Sequence, residues 1–102
     1  MKALVASLLL PCISLFAQTT ILPLGDSITA GGKTFTVYRQ ALVPVLTKRG
    51  FDVRFVGPNK DKTSAHAGYG GRNTAALLKM IDKIYEQHPA DIVLLHSGHN
   101  NR

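Results

Sequence analysis

The amino-acid sequence predicts an α/β fold built on a parallel sheet. Short apolar segments alternate with segments of helical periodicity, in the order strand, helix, strand, helix, strand. Glycine and proline residues separate these segments, as is typical of the turns between elements. Because strands joined through helices run parallel with right-handed crossovers, this order predicts a flavodoxin-like three-layer α/β/α sandwich.

Three strands are predicted from apolar runs. The first covers Thr20–Leu24, the second Val53–Val56 and the third Asp91–His96. Pro23 removes a ladder donor from the first strand, so we expect that strand to lie at an edge or to be irregular there. The third strand is almost continuously apolar, which predicts that it is covered on both faces.

Two helices connect these strands. Apolar residues at helical spacing predict the first helix over Thr34–Lys48, with a kink at Pro44 because proline interrupts the hydrogen-bond ladder. Asn73 or Thr74 is expected to cap the second helix, and Pro89 ends it.

The composition is that of a small globular protein. The 102 residues fit one domain, and a hydrophobic content of 45% argues against intrinsic disorder. The net charge is +6, but the basic residues are scattered, with Lys48-Arg49 as their only adjacent pair. Because nucleic-acid surfaces cluster their cations, we expect no nucleic-acid partner. The sequence does not indicate an oligomeric state.

Residues 1–17 have the layout of a secretory signal peptide. A basic start precedes an uncharged apolar run over residues 3–16, which is shorter than the roughly 20 residues that a membrane-spanning helix needs. We expect cleavage near Ala17, a secreted or periplasmic domain of residues 18–102, and no stable membrane anchor. An uncleaved anchor and a buried first helix are the alternatives. Cys12, the single cysteine, lies in this segment.

Functional residues of such folds collect where the carboxyl ends of the parallel strands meet, here called the carboxyl edge. Three segments are predicted there: Gly25–Thr29 after the first strand, the glycine-containing loop 59–72, and Ser97–Asn100 after the third strand. Ser27 occupies a sharp strand-to-helix turn, where a serine can act as a nucleophile while backbone N–H groups face a developing oxyanion. A serine that only caps a helix is the alternative.

Two known motifs overlap Ser27 only in part. The hydrolase motif Gly-x-Ser-x-Gly would need glycine at Thr29. A phosphate loop would need glycine at Ser27, but Gly32-Lys33-Thr34 fits its second half, so a nucleotide binder is an alternative function. Against that alternative, the third strand ends in His96-Ser97, without an acid to hold Mg²⁺.

Two further groups at the carboxyl edge suit an oxyanion site. Gly71 offers a backbone N–H before the second helix, and Asn100 offers a side-chain amide after the third strand. A serine, a glycine N–H and an asparagine amide that converge on one point stabilise a negatively charged oxygen.

The same residues resemble those of a known enzyme family. Leu24–Thr29 resembles the first sequence block of the GDSL, or SGNH, hydrolases, Gly71 matches the glycine of the second block, and Gly98–Asn101 resembles the third. Similar sequence surrounds the blocks at Tyr38-Arg39, Phe55–Gly57 and Asp91–His96. Three blocks in order are more specific than any one of them.

The resemblance implies a serine hydrolase of carboxylic esters, of the esterase or lipase type. Ser27 would attack the ester carbonyl, while its own N–H, the Gly71 N–H and the Asn100 side chain would hold the oxyanion. The family is metal-free, and its exported members include esterases, lipases and carbohydrate deacetylases. The resemblance therefore implies a small-molecule or carbohydrate ester as substrate, O-acetyl carbohydrate included, with no cofactor or metal.

The sequence departs from the family pattern in two places. Asn101 stands where the family has Asp, and no Asp-x-x-His, the family's base block, occurs. Because a serine hydroxyl needs such a base, we expect the amino-terminal part of an SGNH domain, with about three strands, two helices and little activity of its own. The third strand is then an exposed apolar edge that lowers solubility. A carbohydrate-binding module without catalysis is a further alternative.

Four histidines are candidates to replace the absent base. His66 is expected in a loop near the carboxyl edge, His88 at the end of the second helix and His96 in the core. His99, beside Asn100, is the best placed. None has an evident carboxylate partner in the sequence, so we expect no substitute base.

Overall fold

The computed structural model describes residues 18–102. The predicted signal peptide, its cleavage point at Ala17 and Cys12 lie outside the described residues. The elements in chain order are β1 (Thr19–Gly25), α1 (Ser27–Ala30), α2 (Tyr38–Lys48), β2 (Val53–Phe55), β3 (Asn59–Lys60), β4 (Ala65–Gly68), α3 (Thr74–Gln87) and β5 (Ile92–His96). None of the helices in this described range combines the length and the hydropathy of a membrane span.

β1 is the centre of the sheet. It runs parallel to β5 along one side, from Ile21 opposite Ile92 to Gly25 opposite His96. On its other side β1 pairs first with β2 and then with β4, both in parallel orientation. β3 adds an antiparallel strand beyond β4. The prediction of an α/β fold on a mostly parallel sheet is therefore confirmed.

Pro23 lies in this central strand and not at an edge of the sheet. Ile21 directs its carbonyl group toward β2, where it accepts the N–H of Val56. Gly25 directs its carbonyl group to the same side, where it accepts the N–H of Tyr69. Because alternate residues of a strand face the same neighbour, the missing N–H of Pro23 also points there, between the end of β2 pairing and the start of β4 pairing. The proline thus falls where β1 changes partner and the ladder is interrupted.

The segment 59–72 contains a hairpin of β3 and β4, where the sequence predicts a loop. Asn59 pairs with His66, and Lys60 pairs with Ala65. Neither strand contains a run of large apolar or β-branched residues, so the sequence carries no strand signal there. Since β4 also joins the main sheet beside β1, it brings part of the predicted loop next to the first sequence block.

α2 begins at Tyr38, later than the predicted start at Thr34. Val37 precedes the helix in an extended conformation, and its N–H donates to Gln40 Oε1 at 2.9 Å. This bond satisfies a backbone donor at the helix start and sets the boundary there. Pro44 lies inside α2, and helical structure is present on both sides of it.

The core lies between β1 and α3. Five buried apolar side chains form it: Leu22, Leu24, Val56, Ala67 and Ile84. Each large aliphatic side chain buried here stabilises the fold by about 1.5–3 kcal/mol. Asn73 caps α3 as predicted, because its side chain accepts the N–H of Ala76 at 2.9 Å.

β5 exposes apolar side chains, in contrast to the prediction that it is covered on both faces. Ile92, Val93 and Leu95 are 44%, 39% and 62% exposed. Within residues 18–102, β5 pairs with β1 alone, so its outer edge has no ladder partner there. The exposed apolar edge expected from the sequence is therefore present.

Candidate functional site

Ser27 is the first residue of α1, directly after β1. Asp26 caps this short helix, since its Oδ1 accepts the N–H of Ile28 and its backbone oxygen accepts the N–H of Ala30, both at 2.9 Å. Asp26 is fully buried, which fixes the turn that carries Ser27. Because Asp26 performs the capping, the alternative that Ser27 only caps the helix is wrong. Ser27 is half-buried at the carboxyl edge.

Two glycines, Gly25 on β1 and Gly68 on β4, allow α1 to pack closely against these strands. A Cβ on Gly25 would lie 2.3 Å from the backbone oxygen of His96 and 2.6 Å from Thr29 Oγ1. A Cβ on Gly68 would lie 2.4 Å from the backbone nitrogen of Ala30. Atoms cannot approach so closely, so both positions require glycine for space.

The loop after β4 approaches Ser27. A Cβ on Gly70 would lie 4.0 Å from Ser27 Cβ, which is van der Waals contact. Gly71 follows with a φ of +78°, a left-handed conformation that glycine adopts without strain. Tyr69 N–H donates to Gly25 O at 2.8 Å and so holds the start of this loop against the end of β1.

Side chains after β5 hold the third sequence block against the second. Asn100 Nδ2 donates to the backbone oxygen of Arg72 at 3.0 Å. Asn101 accepts the N–H of Thr74 at 2.9 Å through Oδ1, and its Nδ2 donates to Thr74 Oγ1 at 3.0 Å. Thr74 Oγ1 also lies 2.8 Å from Ser97 Oγ. Asn101, which departs from the family pattern, therefore holds the start of α3 through both its donor and its acceptor.

The structure brings the three predicted site residues to the carboxyl edge. Ser27 lies beside the loop that contains Gly71, and Asn100 is bonded to the residue that follows Gly71. Within residues 18–102, no acceptor pairs with the backbone N–H of Ser27 or of Gly71. The Asn100 amide has a second N–H besides the one that it donates to Arg72. Backbone and amide donors at the edge that holds a serine hydroxyl are what an oxyanion site requires.

Gly32-Lys33-Thr34 lies in the loop between α1 and α2 and not at a helix start. A phosphate loop leads directly into the helix whose first turn carries its Lys and Thr. Because α2 begins only at Tyr38, the phosphate-loop alternative lacks its helix. Gly32 and Lys33 instead line an open pocket of about 300 Å³, and the turn 61–63 between β3 and β4 forms another wall.

Two of the histidines lie beside a carboxylate, contrary to the expectation from the sequence. His66 is buried on β4 and not in a loop, and its Nε2 lies 3.7 Å from Asp61 Oδ2. His96 is exposed and not part of the core, and its Nδ1 lies 4.0 Å from Asp26 Oδ1. His88 caps the end of α3, as predicted.

Neither of these histidines is hydrogen-bonded to its carboxylate within residues 18–102. Their separations of 3.7 and 4.0 Å exceed hydrogen-bond distance. His99, beside Asn100, is exposed. No hydrogen bond joins a histidine to Ser27 in the part of the chain that the structure describes.

Arg39, on α2, forms a buried network that the sequence patterns did not predict as part of the site. Its side chain is 1% exposed. Nε donates to Thr29 O at 2.7 Å, and Nη2 donates to Ala30 O at 3.0 Å. Nη1 and Nη2 also donate to the two carboxylate oxygens of Asp61, at 3.1 and 2.7 Å. Nη1 completes the network with a bond to Ser64 Oγ at 3.0 Å.

This network and its burial shift the pKa of three groups. The hydrogen bonds from Arg39 hold the pKa of the Asp61 carboxyl well below its usual range. Burial lowers the pKa of His66, and the nearby charge of Arg39 lowers it further. Burial raises the pKa of Tyr38, whose hydroxyl lies 3.2 Å from Thr29 Oγ1. The similarity of Tyr38-Arg39 to the family sequence was the one signal that pointed to this network.

Three solved structures with the same fold are esterases. A Clostridium thermocellum family 3 carbohydrate esterase is 30% identical with a TM-score of 0.75, over 82% of this chain and 45% of that chain. AlinE4, an SGNH-hydrolase family esterase, is 26% identical with a TM-score of 0.63, over 82% and 42%. An acetyl esterase mutant with an acetate ion is 24% identical with a TM-score of 0.66, over 81% and 44%, which shows the fold alone.

No protein-family model and no curated protein sequence matches the chain. The chain spans less than half the length of each of the three solved structures. Residues 18–102 therefore match an incomplete SGNH-like α/β/α fold, as predicted, and the chain is similar to the SGNH-hydrolase family of esterases over the part that they share.

Proposed function

We propose that this chain supplies the nucleophile and the oxyanion site of a serine hydrolase that cleaves carboxylic esters. One observation carries the proposal: Ser27, the Gly71 loop and Asn100 come from three separate segments and lie together at the carboxyl edge. The similarity to two esterases at 26% and 30% identity supports ester cleavage as the reaction class.

In the proposed reaction, Ser27 Oγ attacks the carbonyl carbon of the ester and releases its proton to solvent water, because no histidine is hydrogen-bonded to it within residues 18–102. The carbonyl oxygen becomes an oxyanion, which accepts hydrogen bonds from the N–H of Ser27, the N–H of Gly71 and Asn100 Nδ2. The tetrahedral intermediate collapses and expels the alkoxide, which takes a proton from solvent water to become the alcohol, and an acyl ester remains on Ser27. Water then hydrolyses that ester and releases the acid.

We propose that the 102 residues turn over esters slowly on their own. They contain no Asp-x-x-His, and no histidine is hydrogen-bonded to Ser27 within residues 18–102. A serine hydroxyl without a base is a poor nucleophile, and the water that hydrolyses the acyl ester needs a base as well. An acyl ester formed on Ser27 from an activated substrate is therefore expected to accumulate.

We propose a small-molecule or carbohydrate ester as the substrate, O-acetyl carbohydrate included. The Clostridium thermocellum neighbour is named a carbohydrate esterase, which supports this class. Ser27 is half-buried and Gly71 is exposed, so an ester on a larger molecule can approach them from solvent. The signal peptide predicted over residues 1–17 would place the domain in a secreted or periplasmic location.

The test is covalent acetylation of the chain by p-nitrophenyl acetate, mapped by peptide mass spectrometry. We expect one acetyl group on Ser27 that hydroxylamine removes, because hydroxylamine cleaves esters but leaves acetylated lysines intact. Ser27→Ala should abolish this hydroxylamine-sensitive label. Thr47→Ala, which removes an exposed hydroxyl from α2, should keep it. A hydroxylamine-sensitive label elsewhere, or none at Ser27, would contradict the proposal.

A further inference from the structure

We propose that Arg39 is a positioning residue for Ser27, because it fixes the helix that begins with this serine. The inference rests on the proposed function for the role of Ser27, but the hold of Arg39 on α1 is a separate physical statement. Arg39 does not touch Ser27. It acts on the opposite end of α1.

α1 is too short to hold itself in place. It spans only four residues, Ser27–Ala30, so most of its carbonyl groups have no partner within the helix. The Ser27 carbonyl accepts the N–H of Gly31 at 2.8 Å, and Asp26 supplies the acceptors at the start. The carbonyl groups of Thr29 and Ala30 are left for groups outside the helix.

Arg39 supplies those outside partners. Its Nε donates to Thr29 O at 2.7 Å and its Nη2 to Ala30 O at 3.0 Å. A guanidinium ion also interacts favourably with the negative end of the peptide dipoles, where these carbonyl groups lie. α1 is therefore held at its start by the buried Asp26 and at its end by the buried Arg39.

The guanidinium group is in turn fixed by the hairpin of β3 and β4. Asp61 accepts from both Nη atoms, and its Oδ1 also accepts the N–H of Thr63 at 2.9 Å and of Ser64 at 3.1 Å. Ser64 Oγ accepts from Nη1 at 3.0 Å. Since a planar fork with five donors is needed to serve all these acceptors, lysine cannot replace Arg39.

This geometry links the position of Ser27 to the hairpin. The reaction needs the serine oxygen and the oxyanion donors in a fixed relation, and a displacement of about 1 Å can cost about 10²-fold in rate. Release of the end of α1 would let the serine move relative to the Gly71 loop. Loss of the bonds from Arg39 should therefore slow the acylation of Ser27 and increase the local motion of α1 more than it lowers global stability.

The experiment compares Arg39→Lys, Ser64→Ala and a matched control, Arg54→Lys, in the full chain. Arg54 is an exposed arginine on β2. NMR hydrogen exchange of the Ala30 and Gly31 N–H groups, which bond to Asp26 O and Ser27 O, reports opening of α1. The rate of Ser27 acetylation by p-nitrophenyl acetate is the second readout.

In Arg39→Lys we expect exchange of these two N–H groups to rise by about tenfold or more, while β1 amides follow global stability alone. Acetylation of Ser27 should slow by about 10²-fold. Ser64→Ala removes one acceptor and should give a smaller change in the same direction, which keeps the test open if Arg39→Lys does not fold. Arg54→Lys should change neither readout.

The two proposals fail in different ways. If Ser27 of the unsubstituted chain is not acetylated, the proposed function fails, and the exchange data still decide whether Arg39 holds α1. If α1 exchange in Arg39→Lys and Ser64→Ala rises only as much as β1 exchange, Arg39 is a general stabilising residue and the inference is overturned. Unchanged acetylation in both variants, with Ser27 labelled, overturns it as well.

Discussion

His66 accepts the backbone N–H of Gly68 at its Nδ1, over a distance of 2.9 Å. Because the backbone nitrogen is the donor, Nδ1 carries no proton, and the proton of the neutral ring lies on Nε2, the atom that faces Asp61. Protonation of Nδ1 would break a hydrogen bond inside the strand that supports α1. This bond therefore couples the stability of the fold to pH.

We predict that the chain loses stability as the pH falls below about 6.5, the unfolded pKa of histidine. Burial lowers the pKa of His66 in the folded state, so the unfolded chain binds more protons in the window below that value. The stability that neutral His66 contributes is complete above about pH 6.5 and declines as the pH falls toward the folded pKa of His66. Urea midpoints at about pH 7.5 and about pH 5.5 measure the effect.

His66→Asn provides the comparison for that pH dependence. Asparagine Oδ1 can accept the N–H of Gly68 but does not titrate, so this variant should show a shallower loss between the two pH values. His99→Asn changes an exposed histidine and should keep the original slope. An equally steep loss in His66→Asn would contradict the prediction.

Asp61→Asn should destabilise the chain, because it leaves the Arg39 charge buried without its carboxylate. Asp61 is 38% exposed, so we expect about 1–3 kcal/mol, below the 3–5 kcal/mol typical of a fully buried pair. Since the folded pKa of Asp61 is lowered, its contribution is complete above the unfolded value of about 3.9 and is lost only as the pH falls below it. The deficit of the variant should thus shrink below about pH 4, where the unsubstituted chain loses the contribution of the Asp61 carboxylate. Denaturant unfolding across this range, with the exposed Asp82→Asn as control, checks the expectation.

Gly68 and Gly50 require glycine for different physical reasons, and substitution by alanine and by asparagine distinguishes the two reasons. A side chain at Gly68 would collide with Ala30, so Gly68→Ala should cost about 1–3 kcal/mol and Gly68→Asn more. Gly50 has a φ of +81° and open space around it, so Gly50→Asn should cost less than Gly50→Ala, because asparagine tolerates this conformation. Thermal unfolding of the four variants gives the order. The same order at both positions would refute the steric assignment of Gly68.

Asn100→Ala should slow the acetylation of Ser27 by about 10²–10³-fold, the usual effect of removing one oxyanion donor. The bond from Asn100 to Arg72 O is lost as well, but Asn101 still holds the start of α3. The exposed neighbour His99→Ala should leave the rate unchanged. Rates come from mass spectrometry of the hydroxylamine-sensitive label, and equal rates in all three chains would remove Asn100 from the oxyanion site.

Leu95→Lys should raise the concentration at which the chain remains monodisperse. Leu95 is 62% exposed on β5, whose outer edge has no ladder partner within residues 18–102, and a charged residue opposes edge-to-edge pairing. Folding stability should change by less than about 0.5 kcal/mol, as for other exposed positions. Leu78→Lys is the matched control, because Leu78 is 71% exposed but lies on α3. Light scattering that shows equal improvement in both variants would mean that apolar exposure, and not the strand edge, drives association.

Elements rich in large apolar residues were predictable from the sequence. β1, β2 and β5 were found from apolar runs, and α3 from its apolar face and its cap at Asn73. The hairpin of β3 and β4 was missed, because its strands, Asn59–Lys60 and Ala65–Gly68, contain no run of large apolar residues. The start of α2 was placed too early, since the boundary depends on one bond from Val37 to Gln40. The change of neighbouring strand at Pro23, from β2 to β4, depends on segments far apart in the sequence, so no local pattern predicted it.

The sequence alone predicted the candidate site: a serine after a buried strand, a glycine in the second block and an asparagine in the third, in the order that resembles an SGNH hydrolase. How these residues are held depends on contacts between elements far apart in the sequence. Arg39 and Asp61 lie 22 positions apart, and Asp61 lies in the turn before β4 whereas His66 lies on β4. No helical or strand spacing therefore predicts that these residues meet. Burial makes these contacts strong, because a polar group removed from water must find its partner inside the fold, and burial depends on which strands and helices pack together.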